Sequence, residues 1–158
     1  MASLLGARTV PTVFFAANPD EFADVAAGID RPGRLDALRR LDTVGADDLD
    51  PAQLVDLDVL VTGSDPAHAL EVVLTPAHEG ADGSGGTVLL PVRSALRTRL
   101  AHLSEREVDA LGERWSCADG AVDGEWSAYR CGQLLRSLSL LALLAQAEQR
   151  ELYVRFDS

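Results

Sequence analysis

Residues 126–156 read WSAYRCGQLLRSLSLLALLAQAEQRELYVRF. Leu134, Leu138, Leu141 and Ala145 recur at the three-to-four spacing of a helix face. The middle of the stretch, Leu138–Ala145, is apolar nearly all round, which is the pattern of a helix buried on every side. The spacing therefore predicts a long core helix from Trp126 to Gln149, and Glu151–Phe156 (ELYVRF) then closes the chain as a strand. This stretch decides the fold, because a central helix followed by a strand makes the last third helical and still supplies a sheet.

Further toward the N-terminus, Ser104-Glu105-Arg106-Glu107 is a capping box, with Ser followed three residues later by Glu. It predicts a helix to about Trp115, with Val108, Leu111 and Trp115 facing inward. Val92–Leu103 carries Leu96, Leu100 and Leu103 on one stripe and reads as another helix. Thr87–Pro91 (TVLLP) and Leu70–Leu74 (LEVVL) read as two strands of a hairpin, its tip the glycine-rich 79–86 segment EGADGSGG. Asp50-Pro51-Ala52-Gln53 has capping grammar and predicts a helix over 51–60, although Val55–Val59 alternates strictly and leaves a strand as its rival. Ser64-Asp65-Pro66 starts another helical turn.

At the start of the chain, Thr9–Ala17 (TVPTVFFAA) is a β-branched and aromatic run that predicts a strand, with Pro11 pointing to a sheet edge. Asn18-Pro19-Asp20-Glu21 opens a helix that Pro32-Gly33 ends, and Leu35, Leu38 and Leu41 mark a short second one. The sum is one α+β domain over residues 1–158, with a small, mainly antiparallel sheet and a helical C-terminal half. A length of 158 residues fits one domain with a proper core.

Leu60-Val61-Thr62-Gly63, the 89–104 segment LLPVRSALRTRLAHLS and Leu152-Tyr153-Val154-Arg155-Phe156 carry a resemblance. With the order of strand, capped helices, long helix and final strand, they resemble small uncharacterised bacterial proteins of the YfbM-like domain-of-unknown-function family. The Trp and His that similar proteins carry before the Thr-Gly element are absent here. The resemblance spans roughly half the chain and implies a fold, not an activity.

Composition narrows the chemistry. The chain has 25 Leu and 23 Ala, the bias of a GC-rich genome, and its 14 basic residues are all Arg. Without Lys there is no Schiff-base lysine and no P-loop lysine. Net charge is −11, and the ten acids from Asp42 to Asp82 meet no basic residue between Arg40 and Arg93. So acidic a chain is unsuited to nucleic acid and to anionic membrane surfaces. No apolar run reaches the roughly 18 residues of a membrane span, and no secretion signal is visible, so the expected compartment is the cytoplasm.

The acidic run is expected to dock on a basic protein partner, with Asp47, Asp48, Asp50, Asp56 and Asp58 as the contact residues. Arg93, Arg97, Arg99, Arg130 and Arg136 are the charges that would pair with it, within one molecule or in a homo-oligomer. The other class is a small-ligand or metal-dependent enzyme domain. Its pocket would lie near Trp115, Trp126 and Tyr129, or near His68 and His78 with Asp65, Glu71, Glu79 and Asp82. His68 and His78 lack a recognised ligand spacing, and Asp82–Gly86 has neither the nucleophile-elbow nor the phosphate-loop order. No catalytic residue, metal or cofactor is therefore assigned, and the reading leans away from an enzyme. Cys117 and Cys131 form no C-x-x-C motif and read as ordinary buried thiols.

Overall fold

The computed structural model describes residues 12–30, 36–79, 86–118 and 126–157. Its elements, in chain order, are β1 (Thr12–Ala17), α1 (Pro19–Asp30), α2 (Asp36–Arg39), β2 (Thr43–Gly45), α3 (Pro51–Thr62) and α4 (Pro66–Val73). There follow β3 (His78–Glu79), β4 (Thr87–Pro91), α5 (Ser94–Ala101), α6 (Glu105–Ser116), α7 (Ala128–Ala147) and β5 (Glu151–Asp157). The strands form one sheet in the order β2-β1-β5-β4-β3, and each described pair is antiparallel. The fold is the expected single α+β domain with helices concentrated toward the C-terminus.

Both faces of the sheet are covered, which explains why β1 reads as an unbroken apolar run. Phe14 and Ala16 point to the larger core, with Leu90, Leu152, Val154 and the helices from α3 to α7. Phe15 and Ala17 point to a smaller core with Leu89, Tyr153, Val25 and Phe22 of α1. Tyr153 stacks on both Phe15 and Phe22.

Three helix starts follow the capping grammar of the sequence. Asn18 and Glu21 exchange side-chain bonds to each other's backbone N–H at 2.9 and 2.8 Å. Asp50 and Gln53 do the same at the head of α3, and Ser104 and Glu107 at the head of α6. Each box satisfies two otherwise unpaired N–H groups, so a four-residue pattern suffices to set the boundary.

Elsewhere the structure differs from the sequence expectations. LEVVL belongs to helix α4 and not to a strand, because Ala69 and Val73, four apart, are the residues it buries. The partner of β4 is instead His78–Glu79. Residues 80–85 of the expected hairpin tip lie outside the described residues. So do Thr9–Pro11 at the start of the first strand, Pro32-Gly33 and Leu35, and 119–124 of the Cys117–Gly124 loop. β1 is not an edge strand, since β2 (Thr43–Gly45), which the sequence reading missed, pairs outside it. Helix α7 is buried on one side only: Leu134, Leu135, Leu138 and Leu141 face the core, whereas Leu140, Leu143 and Leu144 are exposed.

Candidate functional site

The acidic segment divides into an inner and an outer part. Asp58 lies on the buried side of α3, in register with Leu54, Leu57 and Val61, and its side chain is 1% exposed. It cannot touch a docking partner, which corrects its assignment as a contact residue. Arg93 reaches it across the fold, with Nη1 at 3.6 Å from Oδ1. Thr62 Oγ1 donates to the same carboxylate oxygen at 3.1 Å and lies 2.6 Å from Ser64 Oγ, to which Arg93 Nη2 donates at 3.3 Å. The Thr62-Gly63 and Val92-Arg93 pieces that carry the sequence resemblance thus meet in one buried polar cluster. The ion pair and the Thr62 bond offset part of the cost of burying the Asp58 charge, while Asp58 Oδ2 and Arg93 Nη1 are buried without a hydrogen-bond partner.

The outer part forms a lip at the turn from β2 into α3. Asp47, Asp48 and Asp50 are exposed there, while Leu49 between them is buried. Asp48 adopts a left-handed backbone (φ 68°), which Asp tolerates better than most residues and which turns the chain toward α3. Asp50 Oδ1 accepts the Gln53 N–H at 2.9 Å, so its carboxylate is fixed at the positive end of α3. Asp56 is half-buried on α3.

Behind the lip, a cleft of ≈ 640 Å³ opens between the sheet and the helix pair α3–α4. Leu49, Leu90 and Phe156 are its buried apolar lining, with Leu74 and Val88 beside them. Asp48, Asp50, Glu79 and Asp157 stand among the lining residues as carboxylates. Asp157 is held by Thr87 Oγ1, which donates to it, and by Arg155 at 3.1 Å. The volume falls within the roughly 300–1,000 Å³ of ligand clefts, and the lining is apolar with a few acidic groups. Nothing in the sequence announced this cleft, since its walls come from four separated stretches of chain.

The aromatic cluster is part of the main core and does not line this cleft. Trp115 is buried and donates from Nε1 to the Gln53 carbonyl at 3.0 Å. Trp126 is buried too, with its ring centroid 6.3 Å from that of Trp115, and the Arg130 guanidinium lies over its ring, 3.7 Å from the centroid. Arg130 also donates to the Asp47 carbonyl at 2.7 Å, tying α7 to the acidic lip. A shallower groove of ≈ 360 Å³ runs between Val44–Asp47 and Trp126, Arg130 and Ser137. Tyr129 points to solvent and takes no part in the cluster.

His68 sits exposed on α4 and His78 lies in β3. Among the described residues, no group of three or more His, Cys, Asp or Glu is placed to hold a metal ion. Asp82 and Ser84 lie outside the described residues. Cys117 is exposed, contrary to the expectation of two buried thiols, and Cys131 is buried; both are free. Burial pushes the Cys131 thiol up to about 11, against the opposing pull of Arg130, so it stays protonated and unreactive. No described helix is long and apolar enough to cross a membrane.

No family model and no curated protein matches the chain. Among solved structures, the protein of unknown function YfbM from Escherichia coli is similar, at 14% identity over 94% of this chain and 99% of that one, with a TM-score of 0.46.

Proposed function

We propose that the chain is a non-catalytic cytoplasmic protein that docks on a basic protein partner through the acidic surface of residues 42–82. The observation that supports this is where the charge sits. Asp42, Asp47, Asp50, Asp65, Glu71 and Glu79 are exposed within a stretch that contains no arginine. Of the five arginines expected to neutralise them, Arg93 reaches the buried Asp58 and Arg130 the Asp47 carbonyl, whereas the other three are engaged within the C-terminal half. Arg97 pairs with Glu151, Arg99 with Glu107, and Arg136 with both Glu105 and Asp109. A one-signed face of this kind draws in an oppositely charged partner, speeding encounter and selecting against acidic competitors.

The test compares the native chain with the variant Asp47→Asn/Asp50→Asn/Glu71→Gln/Glu79→Gln as bait in lysate of the source cell at low and high salt. Asn keeps the cap of α3, so folding is preserved while charge is removed. Basic proteins retained by the native chain at low salt, and lost by the variant or at high salt, are the expected result. Identical captured sets for both baits would refute the reading.

A further inference from the structure

We propose that the cleft between the sheet and α3–α4 takes an amphipathic basic segment of that partner, with an apolar side chain seated inside and flanking arginine or lysine held at the rim. This rests on the acidic docking reading and specifies its anchor. Two independent properties of the cleft define the occupant.

The first is the apolar lining. Leu49, Leu90 and Phe156 belong to the core that continues beneath the cleft, so a group entering it extends an existing apolar contact. Water there faces hydrocarbon, and its displacement by an apolar side chain is favourable. The second is the rim. Asp48, Asp50, Glu79 and Asp157 are all acidic. At least two are fixed before any ligand arrives, Asp50 by the α3 cap and Asp157 by Thr87 and Arg155. With Asp157 already paired to Arg155, the remaining excess of negative charge at Asp48, Asp50 and Glu79 disfavours a carboxylate-bearing amphiphile and favours a cation whose charge lies within a few bonds of an apolar body.

The size and the surroundings point to a protein segment. At ≈ 640 Å³ the cleft holds several side-chain-sized groups. Its rim at Asp48 and Asp50 is continuous with Asp47 and the rest of the exposed acidic face. A chain seated in the cleft therefore continues over a surface of complementary charge. A second copy of this protein, at net charge −11, brings the wrong sign.

The probes are three synthetic peptides of equal length. One carries three arginines spaced by Gly and Ser, one the same arginines spaced by Leu and Trp, and one the Leu and Trp with glutamates. Octylamine serves as a free amphipathic cation. Affinity is measured by calorimetry, and amide shifts are followed at Leu74, Val88, Leu90 and Phe156. The expected result is that the Leu/Trp basic peptide binds about tenfold or more tightly than the Gly/Ser one, since burying one apolar side chain is worth at least that factor. Its shifts centre on those four residues, Glu79→Arg weakens it, and the acidic peptide does not bind.

Equal affinity for the two basic peptides, with cleft shifts absent, overturns the anchor and leaves the acidic docking reading standing. Failure of both basic peptides to bind removes that reading as well. Octylamine binding as tightly as the Leu/Trp peptide gives the cleft to a small ligand. Cleft shifts that depend on protein concentration without peptide give it to a second copy. Either outcome overturns the assignment.

Discussion

Replacing Gly112 by Ala adds one methyl group where α6 crosses α7. A Cβ built on Gly112 would lie 3.1 Å from Gly132 N, 3.2 Å from Gly132 Cα and 3.2 Å from Ala128 O. All three are backbone atoms of a long helix, so no side chain can swing aside and the helices must separate. Gly to Ala within a helix gains about 1 kcal/mol of propensity. Overpacking a close crossing costs about 1–3 kcal/mol, which leaves Gly112→Ala destabilised by about 1 kcal/mol net. Gly132 provides the control on the opposite helix. A Cβ there meets nothing within 4 Å, so Gly132→Ala keeps the propensity gain alone. It should be stabilised by about 0.5–1 kcal/mol. The two variants should differ by about 2 kcal/mol, or about 4–8 °C in melting temperature for a chain of this size. Paired circular-dichroism melts under one set of conditions measure this. Gly112→Ala melting at or above the native chain would show that α6 and α7 do not approach so closely.

Leu138, fully buried on α7, should cost about 2–5 kcal/mol when replaced by Ala, read as a loss in urea midpoint at constant slope. Acid should loosen the fold through Glu21 and Glu107. Arg150 and the Asn18 N–H hold the Glu21 carboxyl below its ordinary 4.5, and the Ser104 backbone and hydroxyl do the same for Glu107. A carboxyl lowered on folding contributes stability that is present above its unfolded value and lost as pH falls through the folded one. Urea midpoints should therefore fall from about pH 5 downward, and less steeply in Glu21→Gln. A thiol-specific dye should label Cys117 in the native chain and reach Cys131 only after unfolding; rapid labelling of both would contradict the burial of Cys131.

Local chemistry was legible and tertiary placement was not. The capping boxes at Asn18, Asp50 and Ser104 close within four residues, so no distant part of the chain can override them. LEVVL was misread because four apolar residues in a run of five fit a strand and a short helix equally well, and Val72-Val73 tilted the balance toward β. The three exposed leucines of α7 were hidden by the opposite problem: a stripe that is apolar all round gives no sign of which side lacks a neighbour. Asp58 did leave a signal. It stands four residues after Leu54 and three before Val61, on the buried side of the helix that the Asp50 cap implies. Reading the acidic run as one solvated surface passed over that register. Its partner Arg93 lies in another helix-start region, and no local pattern connects the two.

Part of the acidic lip serves the fold itself. Asp50 stabilises α3 whether or not anything binds, because a carboxylate at a helix N-terminus satisfies N–H groups and opposes the macrodipole. Asp48 likewise serves the turn that its left-handed backbone makes. Both residues would belong in a protein whose surface is merely solvated. The cleft behind them is harder to attribute to folding. A core gains stability by closing over its apolar groups, yet among the described residues the space beside Leu49, Leu90 and Phe156 stays open to ≈ 640 Å³. Stability alone would favour larger side chains at Val88 or Leu74 to fill it. Among the described residues the apolar cleft lined by Asp48, Asp50, Glu79 and Asp157 is unfilled, and the proposed cationic, partly apolar occupant accounts for that.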